Sequence, residues 1–169
     1  MKLFDATVPV FTKHLTHVHK WLDKAAAHAD ARKFDADILL QARLAPDQWA
    51  LARQLQAACD AAKVGTSILA GKTPPTHPDT EKTMAEIRQR LTTVVDYLAT
   101  FSPEDFAGGD DRPCTHPSMG GKTLGAFDFL NHLTLPNFHF HLTTAYAILR
   151  HNGVELGKLD YLVSLPFQS

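Results

Sequence analysis

Apolar residues fall into four seams of helical period along the chain. In the first, Phe4, Val8, Phe11, Leu15, Val18, Leu22, Ala25 and Ala29 recur at alternating spacings of four and three. That heptad-like rhythm predicts a bundle helix crossing its neighbours at about +20°. Pro9 lies inside the seam and predicts an offset or kinked first turn. The second seam runs Leu51, Leu55, Ala58, Ala62, Gly65 and Leu69. Pro46 suits its first turn, Asp47 suits the helix dipole and Gly71 suits its stop. Gly65 either admits a neighbouring backbone or weakens its own turn. The third seam is Met84, Ile87, Leu91, Val94, Leu98 and Phe101, closed by Ser102-Pro103. Thr76 and Asp79 fit a capping box ahead of it, with Pro78 in the first turn. The last holds Phe138, Phe140, Leu142 and Ala145 through Leu149, apolar around most of the circumference, so it predicts a central, largely buried helix. Arg150, His151 and Gly153 supply its cationic end and its stop.

The breakers agree with the seams. The prolines leave open windows at 10–45, 47–73, 79–102 and 137–165. Residues 104–123 are too rich in glycine and proline for a helix and read as a long crossover, with a small hairpin turning at Gly120-Gly121. Residues 124–135 suit a short helix leading into Pro136. The tail, 154–169, carries Leu159, Tyr161, Leu162, Val163, Leu165 and Phe167, and is expected to pack on the bundle or on a second subunit. The fold class is all-α.

Composition narrows the classes. A chain of 169 residues reads as one domain over 1–169, long enough to bury roughly 70% of its unfolded surface without a staple. The formal charge is −1, without the basic excess of a nucleic-acid binder. No apolar run approaches a membrane span, and the first residues do not resemble a signal peptide. The two cysteines, Cys59 and Cys114, make no disulfide framework, so a reduced cytoplasmic protein is expected. Ten histidines stand out.

His132, His139, His141 and His151 lie in or beside the last helix. Imidazoles serve as metal ligands and as acids and bases near neutral pH. His139 and His141 are two apart, so they point to different sides of a helix, whereas Asn137 and His141 are four apart and share one. His141 is placed to face a cavity. On the second helix Gln56, Asp60 and Lys63 form a polar stripe, and Asp60 is a candidate to orient His141 by accepting its ring N–H. The competing reading makes His141 a packed core residue and the stripe a solvated face. His14 and His17 share a side of the first helix and suit packing. His77 and His116, each before a proline, read as turn residues. Cys59, in mid-helix, reads as a buried structural thiol. No phosphate loop, H-E-x-x-H or nucleophile elbow is present.

The run 135–154, LPNFHFHLTTAYAILRHNGV, resembles a bacterial family of unknown function in the DinB/YfiT-like superfamily. Segments 52–56 (ARQLQ), 58–63 (ACDAAK) and 157–162 (GKLDYL) resemble the same family. The resemblance covers nearly the whole chain. It implies a four-helix bundle running up-down-down-up, with a long crossover between helices two and three or three and four, and a homodimer. Metal-binding members carry one histidine on helix two and an H-x-x-x-H pair on the last long helix, and several are metal-dependent thiol transferases or isomerases. Matched onto this chain, the second histidine of the pair is His141, the first falls on Asn137, and the helix-two position falls near Gln56, with Asp60 as the downstream acid. One ligand of three is retained, and amide oxygens are poor partners for zinc. His132 or His139 would have to substitute.

The reading is therefore a DinB-like bundle with a degenerate metal site and a small-molecule pocket around Gln56, Asp60, Asn137 and His141, with no cofactor expected and neither nucleic acid nor membrane as partner. The alternatives are a metal-dependent enzyme, transferase-like and using Zn or Ni at His141, or a structural, stress-related dimer.

Overall fold

The computed structural model describes residues 2–163, so Leu165 and Phe167 lie outside the described residues. The long helices are α1 (Val8–Arg32), α2 (Leu51–Leu69), α3 (Met84–Leu98) and α5 (Leu135–His151). A short α4 (Ala126–Phe129) leads into α5, and a five-residue α6 (Lys158–Leu162) follows it.

Contacts between side chains set the directions. Asp60 on α2 meets Arg90 on α3, and Ser67 meets Tyr97, each pair 30 residues apart, so α2 and α3 run parallel. Gln54 meets His141 while Gly65 faces Thr134, so α2 and α5 run antiparallel. Phe11 packs on Phe138 and Trp21 on Tyr146, which makes α1 and α5 parallel. Arg88 on α3 reaches His19 and Asp23 on α1, and Phe4 packs on Phe106 beyond the far end of α3, so α1 and α3 are antiparallel. The order is up, down, down, up, as the resemblance implies. Every predicted seam residue from Val8 to Ala29, Leu51 to Leu69 and Met84 to Phe101 is buried.

Helix starts differ from the pattern. Pro9 does not kink α1 but sits in its first turn. Pro46 does not begin α2. Residues 45–48 form a turn instead, with Gln48 N donating to Ala45 O, and the chain stays extended to the N-cap Ala50. The capping box of α3 is Thr83 with Glu86, not Thr76 with Asp79. Asp79 is unavailable because Arg53 and Arg90 both hold it. The expected central helix, α5, is buried on one side only, with Phe140 57% exposed.

Two irregular segments shape the molecule. Since α2 and α3 are parallel, residues 70–83 must return along the bundle. Gly71 turns away from α2 at φ 69°, and Arg112 donates to the Leu69 carbonyl at 2.6 Å. Arg90, its side chain 3% exposed, holds the returning segment. It bonds the Pro78 carbonyl at 3.1 Å, Glu81 at 3.0 Å, Asp60 at 2.9 Å and Asp79 at 3.3 Å. The later connection carries the expected hairpin: β1 (Pro113–Cys114) pairs with β2 (Leu124–Gly125), and Gly120 and Gly121 take positive φ in the turn.

The helix does not break at Pro136. A π turn over Leu130–Thr134 joins α4 to α5, with Leu135 N donating to Leu130 O. Proline has no N–H to donate and its ring collides with the carbonyl four residues back, so widening that turn lets the helix continue. The widened turn presses Thr134 against Gly65, where an added Cβ would lie 2.2 Å from Thr134 Cγ2. Gly65 is therefore a point of close approach.

Gly65→Ala should lower stability by about 1–3 kcal/mol through overpacking, read as a lower urea midpoint. An exposed helical glycine would give the opposite sign. Arg90→Met should cost about 3 kcal/mol, at the low end for breaking a buried pair because two of the carboxylates remain partly solvated. Protease cleavage within residues 72–82 should rise with it.

Candidate functional site

A cavity of about 520 Å³ opens between α2, the returning segment 74–77 and the α4–α5 turn. Sequence spacing explains why it is there. On α2, Arg53, Ala57, Ala61 and Gly65 recur every four residues, so that face is nearly bare below Arg53. Opposite stand Leu133, Asn137 and His141, again four apart. Pro74 and Pro75 close the side.

His141 is 8% exposed and fixed from two directions. Its ring stacks on the Trp49 indole, with centroids 5.7 Å apart and planes 10° from parallel. Its Nδ1 lies 2.8 Å from Gln54 Oε1. Gln54 Nε2 in turn donates to the Trp49 carbonyl at 3.1 Å, which turns Oε1 toward the histidine as an acceptor. His141 Nδ1 must then carry the proton, leaving an Nε2 lone pair with no partner among the described residues. Burial, aided by the Arg53 charge, lowers the His141 pKa and favours this neutral form.

The polar stripe divides. Asp60 and Lys63 line the cavity together with Asn137 and His141. Asp60 does not orient His141: its Oδ1 takes Lys63 Nζ and Arg90 Nη2, each at 2.9 Å. Gln54 performs the orienting instead. Gln56 is buried but does not line the cavity, because it turns toward the later part of the returning segment and donates to Glu81 at 2.8 Å. Lys63 is only 3% exposed and also contacts His77 Nδ1 at 3.4 Å. His77 and His116, expected as turn residues, both line the cavity, and burial lowers the pKa of each. Nothing in the local sequence singled out Gln54, Trp49 or His77, since only the tertiary return of residues 74–77 brings these elements together.

The other histidines lie elsewhere. His132 is solvent-exposed, 3.8 Å from Asp128. His139 faces α1, edge-on to His14, with Nδ1 3.1 Å from the Tyr161 hydroxyl. Neither lines the cavity, so neither completes a metal site with His141. Asn137 offers a neutral amide, and Gln56 points away. Among the described residues no group of three or more His, Cys, Asp or Glu is arranged to hold a metal ion. The donor set does not fit the three-histidine centre that the resemblance implies. Cys59 is fully buried and its thiol is pushed up to about 12 by desolvation, which leaves it inert.

A bundle of this topology, with its cavity between α2 and α5, belongs to the DinB class of helical proteins. A family model described as a domain of unknown function (DUF1993) matches residues 3–162, and the chain belongs to that family. The chain is similar to a DinB family member protein from Shewanella denitrificans whose crystal structure is known. The two share 48% identity and superpose with a TM-score of 0.94, over 99% of this chain and 95% of that one. No protein of curated function matches. No helix among the described residues is long and apolar enough to cross a membrane.

The His141 imidazole should titrate with a midpoint below 6.5 in nitrogen NMR, with the Nδ1–H tautomer dominant at pH 7. Gln54→Glu should raise that midpoint, because a carboxylate beside Nδ1–H favours the imidazolium.

Proposed function

We propose that this protein binds a small organic molecule in the cavity beside His141. The observation that carries the reading is the His141 Nε2 lone pair, fixed in direction by Gln54 and Trp49, in a cavity wall and without a partner among the described residues. An acceptor whose direction is fixed in advance receives a ligand donor without a further ordering cost. The mixture of apolar wall and a few fixed polar groups also suits a ligand site, as does the volume. The site reading rests on Asp60, Asn137 and His141, with Lys63 added. The two buried free cysteines suit a cytoplasmic setting.

A fragment library screened by NMR against the Trp49 indole N–H and the His141 ring tests this. Binders should shift both signals, and His141→Phe should weaken them by about threefold to tenfold, the worth of one hydrogen bond. A library without a single such binder, or binders indifferent to His141→Phe, would overturn the reading.

A further inference from the structure

We infer that the ligand is an elongated organic anion, its negative group held at Lys63 and a hydrogen-bond donor at its other end received by His141. This rests on the cavity being a binding site and adds the charge and polarity of what enters it.

The charges are uneven. Arg53, Lys63 and Asp60 line the cavity, whereas Asp79 and Glu81 do not. Asp60 offers one oxygen to both Lys63 and Arg90, so it only partly compensates the buried ammonium. Burying an ammonium is expensive unless it is fully paired. Lys63 has three donor hydrogens and only Asp60 and His77 as partners. The third is unclaimed among the described residues.

Tautomers reinforce the polarity. His77 Nδ1 sits against the Lys63 ammonium, which can only donate, so the other ring nitrogen of neutral His77 carries the N–H. His116 Nδ1 accepts the Ser118 backbone N–H at 3.2 Å, so its outer nitrogen is likewise the donor. Lys63, His77 and His116 therefore offer hydrogens in the same cavity, and His141 alone of its histidines offers a lone pair.

The spacing sets the shape. Gln54, which marks the level of His141, and Lys63 are nine positions apart on α2, about 13 Å of helix axis before the lysine side chain reaches back. Ala57, Ala61 and Val64 face the cavity along α2, opposite Leu133 and Phe129. Arg53, at the His141 end, is paired with Asp79 and stacked on Trp49, so the order is acceptor, apolar channel, then a cation with an unclaimed hydrogen. Its complement is donor, apolar body, anion.

Calorimetry on the full chain with para-hydroxyphenylbutanoate, its neutral para-hydroxyphenylbutanamide analogue and phenylbutanoate separates the terms. The hydroxylated carboxylate should bind about tenfold or more tighter than the amide, the ratio that a hydrogen bond to a charged group supplies. Lys63→Met should abolish that preference and Lys63→Arg should keep it. The advantage over phenylbutanoate should vanish in His141→Phe. Should Lys63→Met not fold, the carboxylate-to-amide ratio in the unaltered protein decides. Equal binding of carboxylate and amide would overturn the anion and leave the binding site standing. So would the silence of all three compounds while neutral or cationic library fragments bind at Trp49 and His141. Silence of both this set and the library would overturn the binding site as well.

Discussion

The Arg90 guanidinium is the joint on which the arrangement turns. Parallel neighbouring helices cannot be linked by a tight turn, so residues 70–83 must travel back along the bundle. That segment forms no regular helix or strand of its own. A proline-rich segment without regular hydrogen bonding needs an anchor, and Arg90 supplies one by bonding Pro78, Asp79 and Glu81 on the segment and Asp60 on α2. The planar fork of arginine suits this, since it directs several donors at once and stays charged when buried. Together with Arg53–Asp79, Gln56–Glu81 and Lys63–His77, this anchor holds Pro74, Pro75 and His77 over α2 as one wall of the cavity. Site and topology thus share a cause.

The opposite wall depends on backbone irregularity. Pro136 forces the widened turn before it, and the widened turn fits only because Gly65 has no side chain to meet Thr134. One turn later, Asn137 and His141 come into line with the bare stripe of α2. A proline that ordinarily stops a helix here sets the azimuth of the residues that follow, and π turns recur at functional sites for this reason.

The bundle was legible in the sequence because its four seams answer to one physical demand, the burial of an apolar stripe at helical period. The hairpin at Gly120-Gly121 was legible because positive φ selects glycine. Helix starts were not. Pro46 and the Thr76–Asp79 pair are locally good starts, but Trp49 is drawn into stacking on His141 and Asp79 into the Arg90 cluster, and neither attraction leaves a trace in nearby residues. The site was half legible for the same reason. His141 and Asn137 follow from a four-residue spacing, and Asp60 and Lys63 from the stripe. Gln54 and Gln56 are both plausible on composition, yet two positions on a helix point about 200° apart, and only the packing of α2 between α3 and α5 decides which faces the histidine.

A histidine that ligates a metal commonly gives its second N–H to a neighbouring acceptor, and Gln54 does this for His141. The orienting contact is thus present, while Asn137 stands one turn before His141 and, among the described residues, no group of three or more His, Cys, Asp or Glu is arranged to hold a metal ion. A lone pair held in a fixed tautomer can read an N–H or O–H, and Lys63, almost wholly buried at the far end of the same cavity, can read a negative charge. On a shared bundle, chemistry follows the few side chains that face the cavity, and here they form a hydrogen-bonding frame with an acceptor at one end and a cation at the other.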